Sequence, residues 1–343
     1  MTNALPAEKP ARARPALRLV KTQDLSREQW LAVRKDGIGS SDAAAAVGLN
    51  PYKSQLELWM EKTGRDAALP KVDPRDETSP MYWGTLLEPI VAAHYTRRTG
   101  NKVRRINAVL QHPAEPWMLA NLDREVVGAP DVQILECKTA GMNGARLWKE
   151  GVPEYVQLQV MHQLAVTGKQ AADVAVLICG QELQVHRIER DDDMIAGLIE
   201  LERKFWCHVE QDRAPSADGS DSAGIALRAL YPTGSGQTVD LSCDLEMSQA
   251  FWDLLGVRQV LAIKVALEAR LKQRIQQRMG DASRAIFGAG EVSWKRSQES
   301  TGLDTTRLLA ERPELLDAYA LKKPGSRRFV VKEIVAEDPK GAT

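Results

Sequence analysis

The stretch from Ala120 to Ala140 constrains this chain more than any other, because it reads as a β-hairpin with charge gathered at one end. Trp117 to Val127 and Val132 to Lys138 form the arms. Gly128-Ala129-Pro130-Asp131 supplies the turn, since glycine relaxes φ and proline fixes it. With the turn centred between Ala129 and Pro130, Asp123 and Glu136 lie equally far from the centre and so face each other. Directly opposed residues on an antiparallel pair hold their Cβ atoms about 4.5–5.5 Å apart. Glu136 and Lys138 differ by two positions and share one strand face. The pattern therefore predicts two carboxylates and one ammonium converging at the hairpin's open end.

Two buried carboxylates this close raise each other's pKa unless a cation lies between them. Such hard oxygen donors suit Mg²⁺ or Mn²⁺, ions that also coordinate phosphate. A neighbouring lysine can orient or help deprotonate a bound water and offset charge on a phosphate. Any Asp plus Glu-x-Lys can instead be a solvated strand face of mixed charge. Here Val132, Ile134 and Leu135 run directly into Glu136, which favours a buried strand where unpaired charge is costly. Asp131, in a literal Pro-Asp, is an odd number of residues from Glu136 and faces the opposite way. It is rejected in favour of Asp123.

Upstream, Trp83-Gly-Thr-Leu-Leu-Glu88-Pro89 begins a helix to Thr99, with Leu87, Val91 and Tyr95 on one stripe and Glu88 beside it. Downstream, Tyr155-Val-Gln157-Leu-Gln159 lies in a helix predicted over 153–167, with Val160 and Leu164 packing on the sheet. Gln159, His162, Gln163 and, further on, His186 read as solvated or structural. Asp123, Glu136-Cys137-Lys138, Glu88 and Gln157 together resemble the PD-(D/E)xK nuclease core. More narrowly, they resemble the YqaJ viral recombinase family, relatives of the phage λ-type alkaline exonucleases, over about residues 30–209. That resemblance implies an α/β fold with a mixed central sheet flanked by helices. It implies two ions, Mg²⁺ with Mn²⁺ as the alternative, held by Asp123, Glu136 and the main-chain carbonyl of Cys137. By the same resemblance Glu88 supports the second ion or its waters, Lys138 activates the attacking water and Gln157 helps position it.

Ser26-Arg-Glu-Gln29 is a capping box that opens a helix through Arg34. Asp36-Gly37-Ile38-Gly39-Ser40-Ser41-Asp42 follows, before an alanine-rich helix. Glycines and hydroxyls at a helix start, with an arginine to hand, make either an anion site or a plain loop with a serine cap. In λ-type exonucleases an Arg and a Ser at matching positions hold the 5′-terminal phosphate, which implies Arg34 and Ser41 with Ser40 nearby. Where those enzymes place a lysine before the Trp-Gly motif, this chain has Ser79-Pro80-Met81.

The chain is long enough for one large domain and an appendage. Its 46 basic and 46 acidic residues cancel, which argues against a general polyanion-coating protein and requires a DNA enzyme to cluster its basic residues locally. Four cysteines without a Cys-x-x-Cys exclude a disulfide framework and a zinc site. No apolar run reaches the length of a membrane span, so a cytoplasmic protein of a bacterial or phage-infected cell is expected. Residues 1–24 read as a disordered basic arm, 25–211 as the nuclease core and 212–224 as a linker or mobile loop. Residues 225–343 read as a helical and small-sheet extension. Within it a helix is predicted over 248–279, and strands over 291–295 and 327–332 flank an Asp304-capped helix. Trp294, Lys295, Arg327 and Arg328 would form an unspecific DNA contact.

The expected activity is Mg²⁺-dependent hydrolysis of a DNA phosphodiester. The resemblance implies digestion of one strand of duplex DNA from a free 5′ end. It also implies a 3′ overhang left for a single-strand annealing protein, and a homotrimer. Two other readings stand beside it. One is an endonuclease on the same scaffold; the other is a non-catalytic DNA-end-binding recombination scaffold, against which the intact Asp123, Glu136 and Lys138 speak.

Overall fold

The predicted hairpin lies inside a five-stranded mixed sheet. The computed structural model describes residues 16–22, 25–321 and 325–333. They divide into two compact units at Tyr231/Pro232. In chain order the first unit contains β1 (Leu17–Lys21), α1 (Arg27–Lys35), β2 (Ile38–Gly39), a 3₁₀ turn (Ser40–Asp42) and α2 (Ala43–Ala46). Next come α3 (Gln55–Lys62), α4 (Pro80–Thr99), β3 (Lys102–Arg104), β4 (Ala108–Gln111), β5 (Met118–Ala120) and β6 (Arg124–Val127). It closes with β7 (Ile134–Ala140), α5 (Met142–Ala145), α6 (Glu154–Thr167), β8 (Ala171–Ile178), β9 (Glu182–Glu189), α7 (Asp192–Glu210) and α8 (Asp221–Leu230).

The larger sheet has the order β3-β6-β7-β8-β9. Only β7 and β8 pair in parallel, joined through α6 as a crossover requires. Ile134, Leu135, Val174, Ala175 and Val176 are fully buried, because α4 covers one face of these central strands and α6 the other. A second sheet has the order β1-β4-β5-β2, and its Ala108, Leu110, Met118 and Ala120 share a core cluster with Val156, Val160 and Leu164 of α6. This is the mixed α/β architecture with flanking helices that the sequence predicts.

Several boundaries differ from expectation. Trp117 to Val127 is not one arm. Met118–Ala120 belongs to the four-stranded sheet, and the chain crosses to the five-stranded sheet at Asn121–Asp123. Met118, Leu119 and Ala120 are all buried, so this segment needs cover on both faces and cannot continue into a one-sided hairpin arm. β3 and β4, close in sequence, also belong to different sheets. Of the expected disordered arm, residues 1–15, 23 and 24 lie outside the described residues, whereas Leu17–Lys21 pairs with β4. The expected linker at 212–224 ends within α8, which Ser220 caps and whose Ala223 and Ala226 are buried against the first unit's core. The unit boundary therefore falls after Tyr231.

Two glycines are required by geometry. A Cβ on Gly37 would lie 2.5 Å from the Trp117 carbonyl oxygen, because β2 runs parallel to β5 with Gly39 beside Leu119. Gly128 turns the hairpin at φ +79°.

The second unit contains α9 (Leu245–Met279), the β10–β11 hairpin (Arg284–Phe287, Gly290–Ser293), α10 (Thr305–Glu311) and α11 (Glu314–Tyr319). Asp304 caps α10 as expected. Residues 327–332 are not a strand, however, and the small sheet is the local hairpin instead. An adjacent hairpin closes its ladder over a two-residue turn, whereas a distant partner would require a long loop to be ordered first.

Candidate active site

Register places the first two candidates. Arg124 pairs with Leu135 and Glu125 with Ile134, so the next step of the ladder sets Asp123 opposite Glu136. The ladder stops there, and the Asp123 carboxylate takes over its role: Oδ2 accepts the Cys137 N–H at 2.8 Å. In an extended strand a residue's N–H and C=O point to the same edge. The Cys137 carbonyl therefore also faces Asp123, beyond the end of β6.

Glu136 is 2 % exposed and fully engaged on one oxygen. Its Oε1 accepts from Lys138 Nζ at 2.7 Å and from Gln159 Nε2 at 2.6 Å, while Oε2 accepts from Gln163 Nε2 at 2.8 Å. Gln159 Oε1 also accepts from Lys138 Nζ at 2.9 Å. A carboxylate offers about four lone-pair sites, so one remains on Glu136 Oε2, and Asp123 Oδ1 carries none of these bonds.

The electrostatics follow from burial. Burial raises the Asp123 carboxyl, and the Glu136 charge raises it further; the Cys137 N–H and Lys138 only partly oppose this, leaving it well above the usual carboxylate range. Burial pulls the Lys138 ammonium down, but the Glu136 contact outweighs it and the net shift is upward. Lys138 is therefore an ammonium held by Glu136. Burial and the two carboxylates push the Cys137 thiol up and keep it inert.

This donor set fits a divalent cation. Two close carboxylates are poorly neutralised by one ammonium, both have a free oxygen position, and a main-chain carbonyl faces the same gap. Among the described residues no third acidic, histidine or cysteine side chain completes a cluster. Glu88 lies near this gap but is engaged: its Oε1 accepts from Arg124 Nη1 at 2.5 Å, and Arg105 approaches it at 4.0 Å. Arg124 Nη1 also donates to the Asp123 carbonyl at 2.5 Å. This buried arginine ties Glu88 to the hairpin and was not singled out from sequence.

Gln157 requires a correction. It does not reach the carboxylates; its Nε2 donates to the Val152 carbonyl at 2.6 Å, at the start of its own helix. Gln159 and Gln163, read from sequence as solvated or structural, make the contacts instead. Residues four apart share a helix face, whereas residues two apart do not. The i,i+4 glutamine pair was the available signal. His162, between them, is fully buried, bonded to Glu202 at 2.8 Å and to the Leu119 carbonyl at 2.9 Å.

The second cluster surrounds Asp42. Arg34 Nη2 donates to Ser41 Oγ and to Asp42 Oδ1, each at 2.9 Å, while its guanidinium stands 5.0 Å over the Trp30 ring. Lys62 Nζ donates to Asp42 Oδ2 and to the Arg34 carbonyl, each at 2.8 Å. Burial alone would raise Asp42, but Lys62 and Arg34 more than reverse it and hold the carboxyl far below its usual range. Burial lowers the Lys62 ammonium, with Asp42 countering in part. The structure thus joins Arg34 to Ser41, with Ser41 exposed and Ser40 buried. The β2–β5 pairing sets this loop beside the strand that leads into Asp123.

Residues 29–170 match the model of the YqaJ-like viral recombinase domain. The chain is 36% identical, over 322 residues, to the Bacillus subtilis (strain 168) protein named "Uncharacterized protein YqaJ", covering 92% of this chain and 97% of that one. Among solved structures it is similar to an alkaline exonuclease, LHK-Exo, from Laribacter hongkongensis, with 25% identity, a TM-score of 0.45, and coverage of 54% of this chain and 93% of that one. It is also similar to a phage related exonuclease from Haemophilus somnus 129PT, with 10% identity, a TM-score of 0.35, and coverage of 53% and 99%.

Proposed function

The chain belongs to the YqaJ-like viral recombinase family, and from that premise we propose that it is a metal-dependent exonuclease. It digests one strand of duplex DNA from a free 5′ end and leaves a 3′ single strand for an annealing protein. The observation that carries this reading is the convergence of Asp123, Glu136 and Lys138 where the β6–β7 ladder ends, on a gap lined by carboxylate and carbonyl oxygens. Asp123, Glu136 and the Cys137 carbonyl hold the ion, Mg²⁺ or Mn²⁺, which when bound polarises the phosphodiester and lowers the pKa of water.

The protein's own groups have separable roles. Glu136 is fixed by three donors on α6 and β7, so its free lone pair has one direction. Lys138, already protonated, orients water and stabilises charge on the scissile phosphate; it is not poised as a base. Arg124 holds Glu88 against the hairpin, where Glu88 would support a second ion or its waters. Arg34 and Ser41 together form a donor pair for a terminal phosphate, with Asp42 fixing the arginine between turnovers.

The deciding experiment uses linear duplex labelled at the 5′ or the 3′ end, with Mg²⁺ or EDTA, beside a closed circle. Metal-dependent release of 5′-labelled mononucleotide with the circle intact supports the reading. Cutting of the circle would replace it with an endonuclease, and inertness on every substrate would replace it with a DNA-end scaffold.

A further inference from the structure

We propose that the bulged N-terminal strand β1 and the 104–108 segment form a second binding site, a cleft that takes the phosphodiester backbone of the DNA beside the catalytic gap. The cleft has a volume of about 470 Å³ and is lined by Arg18, Lys21, Arg104 and Arg105, with no acidic and no aromatic residue in its walls.

The bulge builds it. Arg18 pairs with Leu110, Val20 with Val109 and Lys21 with Ala108, which leaves Leu19 as an extra residue. On a regular strand Arg18 and Lys21, three apart, would face opposite ways. Their partners Leu110 and Ala108 are two apart and share a face, so the bulge brings both cations to one side. Among the described residues neither has an acidic partner. Arg104, by contrast, is paired with Glu125.

A chain of side-chain contacts links the cleft to the site. Arg105 approaches Glu88 at 4.0 Å, Glu88 is held by Arg124 at 2.5 Å, and Arg124 holds the Asp123 carbonyl. In a chain with no net charge, Arg18 and Lys21, without acidic partners among the described residues, add beside Arg104 and Arg105 positive charge that a polyanion would neutralise. A wall of cations with no aromatic side chain suits phosphates, so recognition is of the backbone and independent of sequence. That the polyanion is DNA rests on the nuclease reading above.

The test uses the full-length protein and the double variant Arg18→Ala/Lys21→Ala, with Arg18→Lys/Lys21→Arg as the charge-conserving control. Duplex affinity is measured between about 50 and 200 mM salt, where each lost phosphate contact lowers the log–log slope by about 0.9. The alanine pair is expected to lower the slope by about two. It should also raise KM about tenfold with kcat within about twofold, while the conservative pair restores both. An unchanged slope and KM in a wild type that cleaves DNA overturns the cleft and leaves the nuclease standing. A wild type that never cleaves, with the slope still reduced in the variant, overturns the nuclease and keeps the cleft. Inorganic phosphate that erases the difference between wild type and variant overturns the inference in favour of a free-phosphate site. Polyglutamate binding lost as fully as DNA binding overturns it in favour of an acidic protein partner.

Discussion

Gln163 donates from Nε2 to Oε2 of Glu136 at 2.8 Å, from a side chain with no solvent exposure. Its own Oε1 is buried and has no hydrogen-bond partner among the described residues. A donor placed at the cost of an orphaned acceptor is best explained by what it does to Glu136: it occupies one lone pair and fixes the direction of the other. Substitution Gln163→Met keeps the volume and removes both atoms. Hydrogen bonds to charged groups contribute about 1.5–3 kcal/mol, and an unsatisfied buried polar atom costs about 1–3 kcal/mol, so the two effects nearly offset. Thermal denaturation should therefore change little. Activity at limiting Mg²⁺ should fall about 10–100-fold, as when groups that orient a metal ligand are lost, with the loss shrinking at high Mg²⁺. Equal loss at all Mg²⁺ concentrations would count against this role.

Lys138 bonds Glu136 and Gln159 simultaneously. Removing the ammonium in Lys138→Met should reduce single-turnover cleavage by about 10²–10³-fold, the range for one positioned donor that stabilises charge in the transition state. DNA affinity measured in Ca²⁺ should stay within about threefold of wild type. A variant that binds DNA poorly but cleaves at a normal rate once saturated would reassign Lys138 to substrate binding.

Asp123 and Glu136 repel across the end of the hairpin, so the metal-free protein carries a folding cost that Asp123→Asn relieves. Without divalent cation the variant should melt higher than wild type, by about 4–8 °C per kcal/mol for a small domain and less for one of this size. Adding Mg²⁺ should raise the melting temperature of wild type and leave the variant unchanged, because an ion that binds only the folded state stabilises it by mass action. Calorimetric or dye-monitored melting with EDTA or Mg²⁺ reads both effects without an activity assay.

The Asp123–Glu136 register is legible in the sequence because a hairpin with side-chain period two and a glycine–proline turn admits few pairings, and the observed ladder follows the predicted one. The choice of Gln157 failed for a different reason. Which face of α6 meets the sheet depends on how the helix rests on β5, β8 and α7, a tertiary fact invisible in Tyr155-Val-Gln157-Leu-Gln159. β1 was hidden because Leu17–Lys21 is short and carries its extra residue at Leu19, which breaks the period-two pattern. Residues 327–332 show the converse error: an Arg-Arg-Phe-Val-Val-Lys run rich in β-formers that adopts no strand among the described residues. Asp42 reads as a residue at a helix start; only the fold discloses that Lys62, twenty residues on, meets it in the interior.

Asp42 governs acid stability. Its carboxyl is held far below the ordinary range in the folded protein because Lys62 and Arg34 outweigh the effect of burial. In the unfolded chain it titrates near the usual value of about 3.9. A depressed folded pKa contributes stability that is fully present above the unfolded value and is lost as pH falls below it, since the unfolded state then binds the extra proton. Unfolding free energy should therefore decline below about pH 4. In Asp42→Asn this part of the decline is absent. At neutral pH that variant should be less stable by about 3–5 kcal/mol, the cost of leaving one partner of a buried pair unmatched, because the Lys62 ammonium remains inside. Urea melts of both proteins from about pH 3 to 7 measure the slope directly. Parallel curves would mean that Asp42 titrates alike in the folded and unfolded states.

Arg34 tests the end-recognition pocket. Its Nη2 already bridges Ser41 Oγ and Asp42, so a terminal phosphate at Ser41 would meet a guanidinium that is oriented in advance. Arg34→Lys retains the charge beside Asp42 but loses the planar fork that can hold a carboxylate and a phosphate together. The wild type should therefore prefer 5′-phosphorylated over 5′-hydroxyl ends, and both Arg34→Ala and Arg34→Lys should lose most of that preference. The loss corresponds to about 1.5–3 kcal/mol, roughly 10–100-fold in kcat/KM on phosphorylated ends, for one charged hydrogen-bond partner. Cleavage of 5′-hydroxyl ends should change far less. Because Lys62 still neutralises Asp42 in both variants, their melting temperatures should remain close to wild type, which separates a lost contact from a damaged fold. Equal losses on the two kinds of end would remove Arg34 from phosphate recognition and leave it as the structural partner of Asp42.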